Sequence, residues 1–446
     1  RHVFGFGSTG SGKSSLLKEA IGELWPDIKA GKKTGLVMDG TELCDEIISQ
    51  LDLTDDEIRK HIVFIDLAKP GGPDDIGCLP RFNMMEMGDG TGGGDAFVDL
   101  DARINLFEML FDGLMDTDTS GPMKIMMSYA AQTMAALPNP TVDDLLALLK
   151  APLAFTATIR NLDPDVRDYW EGVIKLDKND EEVVNETARA LFLRAKGLLG
   201  RPIIKRLLVN DHPTVNFAKR FNEGGTLFLI AVRKGKLMPL GARLVGRFIL
   251  TMILRAVGAR NSLGKPVKSF CAIDEAHNFF NSGQDESFMN LLAEARKHWV
   301  SLWMFLQEER QTSPAMINSI LTNCHIILGS NGMSEAMARM IRDKIGVETH
   351  ESGKKKGKPK IELTKIPLFS FVASLRGNKP IMIKTKEDPL GDKYTRIPKG
   401  DKAGPAFVEA RMERVHRIMR EEYAQLPAPE VTEDEQPGKL QYLKVV

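Results

Sequence analysis

The chain has 446 residues, 43% of them hydrophobic and 27% charged, with 60 basic side chains against 60 acidic ones and a formal net charge of zero. The apolar share is ample for a large core and excludes a mostly disordered protein, while the balanced charge excludes a histone-like polybasic binder. At roughly 150 residues per domain the length predicts about three domains. No run approaches the ~18 apolar residues of a membrane span; the best stretch, 240–258, is broken by Arg243, Arg247 and Arg255. Cys44, Cys78, Cys271 and Cys324 show no C-x-x-C spacing, which argues against a zinc site or disulfide framework and for a reducing compartment. The chain starts at Arg1 with no methionine and no signal-peptide pattern, as expected of a fragment.

In chain order, Val3 to Phe6 reads as a short strand. A glycine loop follows, then a helix from about Lys13 to Leu24 that should stop at Trp25 and Pro26. A second strand, Gly35 to Asp39, ends in an acid; a helix with Leu43, Ile47, Ile48 and Leu51 leads to a third strand, Ile62 to Asp66. Strands alternating with helices predict a parallel sheet covered on both faces. Residues 70–95 carry loop chemistry. From about 100 to 222 only helix-period apolar sets appear, such as Ile104, Phe107, Leu110 and Phe111, which predicts an all-helical insertion.

Strand character returns at Thr226 to Val232. Leu240, Leu244, Val245, Phe248, Ile249, Met252, Ile253, Ala256 and Val257 then form a stripe of 3.6-residue period. Buried-type strands are predicted at Ser269 to Asp274, Ser301 to Leu306 and His325 to Gly329, followed by a hairpin from Phe369 to Thr385 that turns at Arg376 to Asn378. The fold class read from this order is α/β, with 1–100 and 223–425 as the sheet domain, 101–222 as the helical insertion and 426–446 as a polar tail.

Gly7, Ser8, Thr9, Gly10, Ser11, Gly12, Lys13 and Ser14 make a complete G-x-x-x-x-G-K-S between a strand and a helix. A triphosphate needs many converging donors without side-chain crowding; the glycines let backbone N–H groups turn inward, and the helix N-terminus adds its dipole. Lys13 is placed for the β- and γ-phosphates of ATP, the Ser14 hydroxyl for Mg2+, and Ser15 for the α-phosphate side. The strand Phe270 to Ile273 ends in Asp274 and Glu275. An acid at a strand tip beside a phosphate loop suits the Mg2+ shell, and its neighbour suits a general base. Gln307 ends the strand after Arg296 and Lys297, where its amide can sense the γ-phosphate or an attacking water.

The phosphate loop, the run Ile273 to Asn278 and the run Arg296 to Gln307 resemble the HerA/FtsK-type motor ATPases, and most of all the conjugative coupling proteins of type IV secretion systems. Asp39, Asp66, Asp163 and Trp170 agree with that pattern, whereas Thr41 stands where members often carry lysine. The resemblance spans roughly residues 1–385. It implies a RecA-like sheet with the acid pair on a strand adjacent to the phosphate-loop strand, an inserted helical domain, and a hexameric ring of identical subunits around DNA. It also implies Arg296 as an arginine finger acting across subunits, with Lys297 and Arg310 in reserve. The expected activity is ATP-driven DNA translocation. The expected partners are DNA, bound mainly through its backbone, and secretion-channel or relaxase proteins. A cytoplasmic place follows, docked at the inner membrane face through a missing segment or a partner. Viral genome packaging with capsid partners, protein secretion, and a slow nucleotide-gated scaffold are the alternatives. Two basic stretches are candidate DNA surfaces: Arg189, Arg194, Lys196, Arg201, Lys205 and Arg206, and Lys354 to Lys360.

Overall fold

The computed structural model describes residues 1–68, 79–82, 120–137, 140–176, 182–183, 185–199, 202–208, 213–260, 267–279, 289, 292–293, 295–307, 311–335, 337–339, 341, 366–375 and 380–424. They divide into two compact units, 1–69 with 217–419, and 70–216 with 420–446.

The first unit is built on nine strands: β1 (Val3–Phe6), β2 (Lys33–Asp39), β3 (Ile62–Asp66), β6 (Leu227–Ala231), β7 (Lys268–Ile273), β8 (Val300–Leu306), β9 (Ile326–Ser330), β10 (Ser370–Leu375) and β11 (Ile381–Lys384). Their order is β11-β10-β9-β1-β8-β7-β2-β6-β3. All neighbours from β9 to β3 pair in parallel, and β10 and β11 close one edge antiparallel. The central strands are continuous apolar runs, Leu36, Val37 and Met38 being fully buried, as strands covered on both faces must be.

The acid-pair strand β7 does not adjoin β1, contrary to what the resemblance implies; β8 runs between them. Gly5 explains how β8 fits against β1, because a Cβ at that position would meet the Phe305 ring at 2.6 Å.

The helix after the phosphate loop also departs from expectation, continuing through Pro26 to Lys29. Proline removes the N–H that would bond the carbonyl of residue 22. Here the Tyr394 hydroxyl donates to the Gly22 carbonyl instead, at 3.1 Å, and Trp25 and Ile28 on the extra turn are buried. Two helices that the apolar pattern hides follow β11, Pro389–Lys393 and Ala403–Ala424. The second interleaves buried Met412, Val415, Ile418 and Met419 with charged positions that have partners: Arg414 Nε donates to Asp55 Oδ1 at 2.6 Å, and His416 Nε2 lies 3.1 Å from Asp66 Oδ2.

In the second unit the described helices include Gly121–Ala135, Val142–Lys150, Pro164–Val173, Glu186–Leu199 and Pro202–Leu208. Thr141 and Asp144 form a capping box at the start of Val142–Lys150. The buried Trp170 indole donates to Thr133 Oγ1 at 2.9 Å. The expectation of helices alone is corrected by one short antiparallel pair, β4 (Lys175–Leu176) with β5 (Glu182–Val183). The hairpin turn at 376–378, the basic run 354–360 and the tail 426–446 lie outside the described residues. Among the described residues no helix is long and apolar enough to cross a membrane.

Tyr394→Phe should leave the Gly22 carbonyl without its donor and destabilise the first unit by about 1–2 kcal/mol. In a Pro26→Ala background the restored N–H can take over that carbonyl, so the cost should shrink. A double-mutant cycle by denaturant unfolding checks this, and strict additivity of the two substitutions would refute it.

Candidate functional site

Parallel pairing brings the ends of β1, β8, β7 and β2 to one rim of the sheet, and the phosphate loop leaves from the first of them. Gly10 and Gly12 take positive φ of 76° and 101°, a conformation that L side chains rarely adopt. A Cβ on Gly12 would also meet the Phe369 ring at 2.9 Å. The Lys13 ammonium is buried within its own loop and donates to the carbonyls of Gly7 at 2.6 Å and Ser8 at 2.8 Å. Burial pulls its pKa down, against the opposing charges of Asp274 and Glu275. Ser8 holds the loop to the far side through Asn331, its N–H donating to that carbonyl at 2.9 Å.

At the tip of β7, Asp274 Oδ2 accepts from Ser14 Oγ at 3.1 Å. This hydroxyl–carboxylate pair is the donor set that suits Mg2+, which takes one or two protein oxygens and completes its shell with water and substrate phosphate. Asp274 is buried and its pKa is pushed up to about 6, first by burial and then by the nearby Asp39, with Lys13 and Ser14 opposing. Asp39 at the tip of β2 is also raised by burial, although its carboxylate accepts from Thr41 Oγ1 at 2.9 Å and from the Leu43 N–H at 2.8 Å. It therefore caps the following helix, and its charge acts on Asp274 through space.

Glu275 sits in a left-handed conformation with φ 49°, which turns its side chain off the line of the strand. Its carboxylate accepts from Gln307 Nε2 and, at 3.3 Å, from Asn278 Nδ2. Gln307 Oε1 in turn accepts from Thr9 Oγ1 at 3.3 Å, so a chain of hydrogen bonds runs from the phosphate loop to Glu275. Gln307 mediates this because β8 lies between β1 and β7. Asn278 closes a run that carries the resemblance, but its bond to Glu275 and the link through Thr9 escape sequence reading.

Arg233, two residues past the end of β6, is the other residue that sequence reading overlooks. It donates to both oxygens of Asp66, at 3.0 and 3.1 Å, to Asp45 at 2.7 Å and to the Thr41 carbonyl at 3.0 Å. Burial opposes ionisation of Asp66, but His416 and Arg233 hold its carboxyl well below the usual carboxylate range. Arg233 also lowers the cost of charge on Asp39. With Ser14, Thr41, Glu42 and Glu46 it lines a cleft of 590 Å3.

The remaining candidates do not join this hydrogen-bonded network. Ser11 Oγ is buried with no hydrogen-bond partner, and Ser15 Oγ donates to the Glu387 carbonyl at 2.9 Å. Arg296 is exposed at the opposite end of β8, with Nη1 2.8 Å from His325 Nε2. Its turn closes through Trp299 N–H to the Arg296 carbonyl and Val300 N–H to the Ala295 carbonyl, with Trp299 left-handed at φ 63°, the pattern of a helix C-cap. Seven strand residues at about 3.3 Å each put it roughly 23 Å from Gln307 of the same chain. Lys297 is likewise exposed, and Arg310 lies outside the described residues. Arg189, Arg194, Lys196 and Lys205 are exposed in the second unit and Arg206 is half-buried; Lys205 lies 3.5 Å from Asp143, and Arg201 falls outside the description.

A RecA-like parallel sheet with a phosphate loop on β1 and an acid pair on β7 defines a P-loop NTPase fold. Solved structures agree. The chain is similar to VirB4 of Thermoanaerobacter pseudethanolicus at 14% identity, with a TM-score of 0.54 over 88% of this chain and 91% of that one. It is similar to the bacterial conjugative coupling protein TrwB lacking its first 70 residues, in its unbound form, at 14% identity with a TM-score of 0.50 over 86% and 84%. The complex of TrwB with ADP and Mg2+ matches at 14% identity with a TM-score of 0.52 over 86% and 85%. No family model and no curated protein matches the sequence.

The raised pKa of Asp274 carries a sign. Its folded value of about 6 lies above the unfolded ~3.9, so the folded state holds the proton more tightly. In the absence of nucleotide and divalent ions, stability should fall as pH rises from about 4 to about 6, by about 2–3 kcal/mol, and then level off. Asp274→Asn should flatten that slope in urea titrations across the range; an unchanged slope would show that another group carries it.

Proposed function

We propose that this chain is an ATP-hydrolysing motor that translocates DNA as a hexameric ring, of the kind that serves conjugative type IV secretion, with residues 101–222 as its helical insertion domain. The observation that carries this reading is the hydrogen-bonded chain from Thr9 through Gln307 to Glu275, beside the Ser14–Asp274 pair. A scaffold that only binds nucleotide has no need of a second acid tied to the phosphate loop.

In this reading the loop N–H groups and Lys13 bind the phosphates, Lys13 exchanging its Gly7 and Ser8 carbonyls for phosphate oxygens. Ser14 and Asp274 would hold Mg2+, which when bound neutralises charge on the β- and γ-phosphates. Glu275 takes the proton from an attacking water, and Gln307 with Asn278 holds its carboxylate in place until then. The site of action is the cytoplasmic side of the membrane. Protein secretion driven by the same nucleotide site is the second reading.

Added DNA should raise ATP turnover by the purified protein if it is a DNA motor, and leave it unchanged if it moves protein. Lys13→Ala should abolish nucleotide binding, while Glu275→Gln should keep ATP and lose hydrolysis, a split seen by comparing nucleotide affinity with turnover. Equal loss of affinity in both variants would contradict the two roles.

Arg296 is proposed to act on the nucleotide of a neighbouring subunit, since it stands far from the phosphate loop of its own chain. Removing such a finger costs about 10³-fold or more in turnover. Inactive Arg296→Ala and Lys13→Ala subunits, mixed, should recover part of the ATPase through interfaces that combine an intact loop with an intact finger. No recovery in assemblies shown to contain both variants would leave Arg296 a structural residue.

A further inference from the structure

The segment after β11 is tied to the phosphate-loop helix more heavily than an exposed connection requires. The Glu387 carbonyl accepts from Ser15 Oγ at 2.9 Å. Asp388 Oδ1 accepts from Gln50 Nε2 at 2.6 Å and lies 3.7 Å from the Lys18 ammonium. Lys393 pairs with Glu23 at 2.8 Å, the Tyr394 hydroxyl donates to the Gly22 carbonyl at 3.1 Å, and the Thr395 N–H donates to the Gln50 carbonyl at 3.1 Å. Gln50 is fully buried, and its Oε1 has no hydrogen-bond partner. An unpartnered buried amide oxygen costs about 1–3 kcal/mol, so the bond that its Nε2 makes to Asp388 is kept at the expense of stability.

The direction of the phosphate loop says what this strap faces. Backbone N–H groups of such a loop hold the α- and β-phosphates, the lysine reaches the β- and γ-phosphates, and the serine after it serves the metal. The next helix residue, Ser15, is on the α-phosphate side, from which the nucleoside leaves. The Ser15 O–H is already given to the Glu387 carbonyl, so an α-phosphate bound there takes the Ser15 N–H, and the carbonyl lies within about 9 Å of it, two hydrogen bonds and the width of the serine away. That span holds a ribose. A carbonyl is an acceptor without a donor, and the ribose hydroxyls are donors.

We propose that residues 386–394 form the nucleoside wall of the nucleotide site, with the Glu387 carbonyl facing the ribose and Asp388, clamped by Lys18 and Gln50, fixing it in place. The proposal rests on the reading of the phosphate loop as a nucleotide site. It assigns the discrimination between a nucleoside triphosphate and a bare polyphosphate to a segment more than 370 residues from the loop in sequence.

The test is calorimetric titration of the purified full chain, in Mg2+ buffer, with ATP and separately with inorganic tripolyphosphate. The wild-type protein should bind ATP more tightly. In Asp388→Ala the ATP affinity should fall about tenfold while tripolyphosphate stays within about twofold, its retained binding showing that the phosphate loop is still folded. Gln50→Leu, which removes the donor to Asp388 and the unpartnered oxygen together, should reproduce that pattern without loss of stability. Parallel weakening of both ligands would show that the strap only supports the helix, and overturn the proposal. Equal wild-type affinity for the two ligands would overturn it while leaving the phosphate site standing. Failure to bind either would sink the nucleotide reading and the wall with it.

Discussion

Phe6 lies opposite Leu306, Met304 opposite Ile273, and Ile273 opposite Met38, so that four parallel strands end within two residues of one another. On this register depends everything else at the rim. A parallel ladder fixes the offset between strands through its slanted backbone bonds, and a slip of one residue would turn every side chain to the other face. The register delivers Asp39, Asp274 and Gln307 to one edge within reach of the loop that follows Phe6. The acids cannot be spread further apart without breaking the hydrogen bonds that bury the strands.

That crowding has an electrostatic consequence. Asp39 and Asp274 share a poorly solvated edge, and each is harder to ionise than it would be in water. Lys13, drawn into its loop by two carbonyls, and Arg233, drawn over by Asp45 and Asp66, supply the compensating charge. The site is thus held by cations that already have partners, and a phosphate that enters must exchange contacts rather than fill an unsatisfied hole. Asp66 links this network to the Ala403–Ala424 helix through His416, which also stacks on Phe64 with ring centroids 5.6 Å apart.

Much of this was legible from residues alone. The strands of the core appear at their predicted places because two-sided burial demands unbroken apolar runs, and the loop from Gly7 to Ser14 is a contiguous motif. Three features were hidden. The helix passes Pro26 because a tyrosine 368 positions later satisfies the carbonyl that proline deserts. The strand carrying Gln307 enters between β1 and β7, which no local pattern reveals. The helix at 403–424 is written in polar residues whose partners, Asp55 and Asp66, stand at the start of the chain.

The sequence by itself determined what depends on neighbours along the chain: the glycine spacing that lets a loop turn inward, the apolar runs, the acids at strand tips and the 3.6-residue stripe from Leu240 to Val257. Only the tertiary structure decided which strand tips meet, that Ser15 bonds to Glu387, and that Arg233 takes charge of Asp66. Those contacts depend on strand order and register, and these are set by how whole faces bury against one another. Burial is an area effect that sums over the sheet, and no single stretch of residues encodes it.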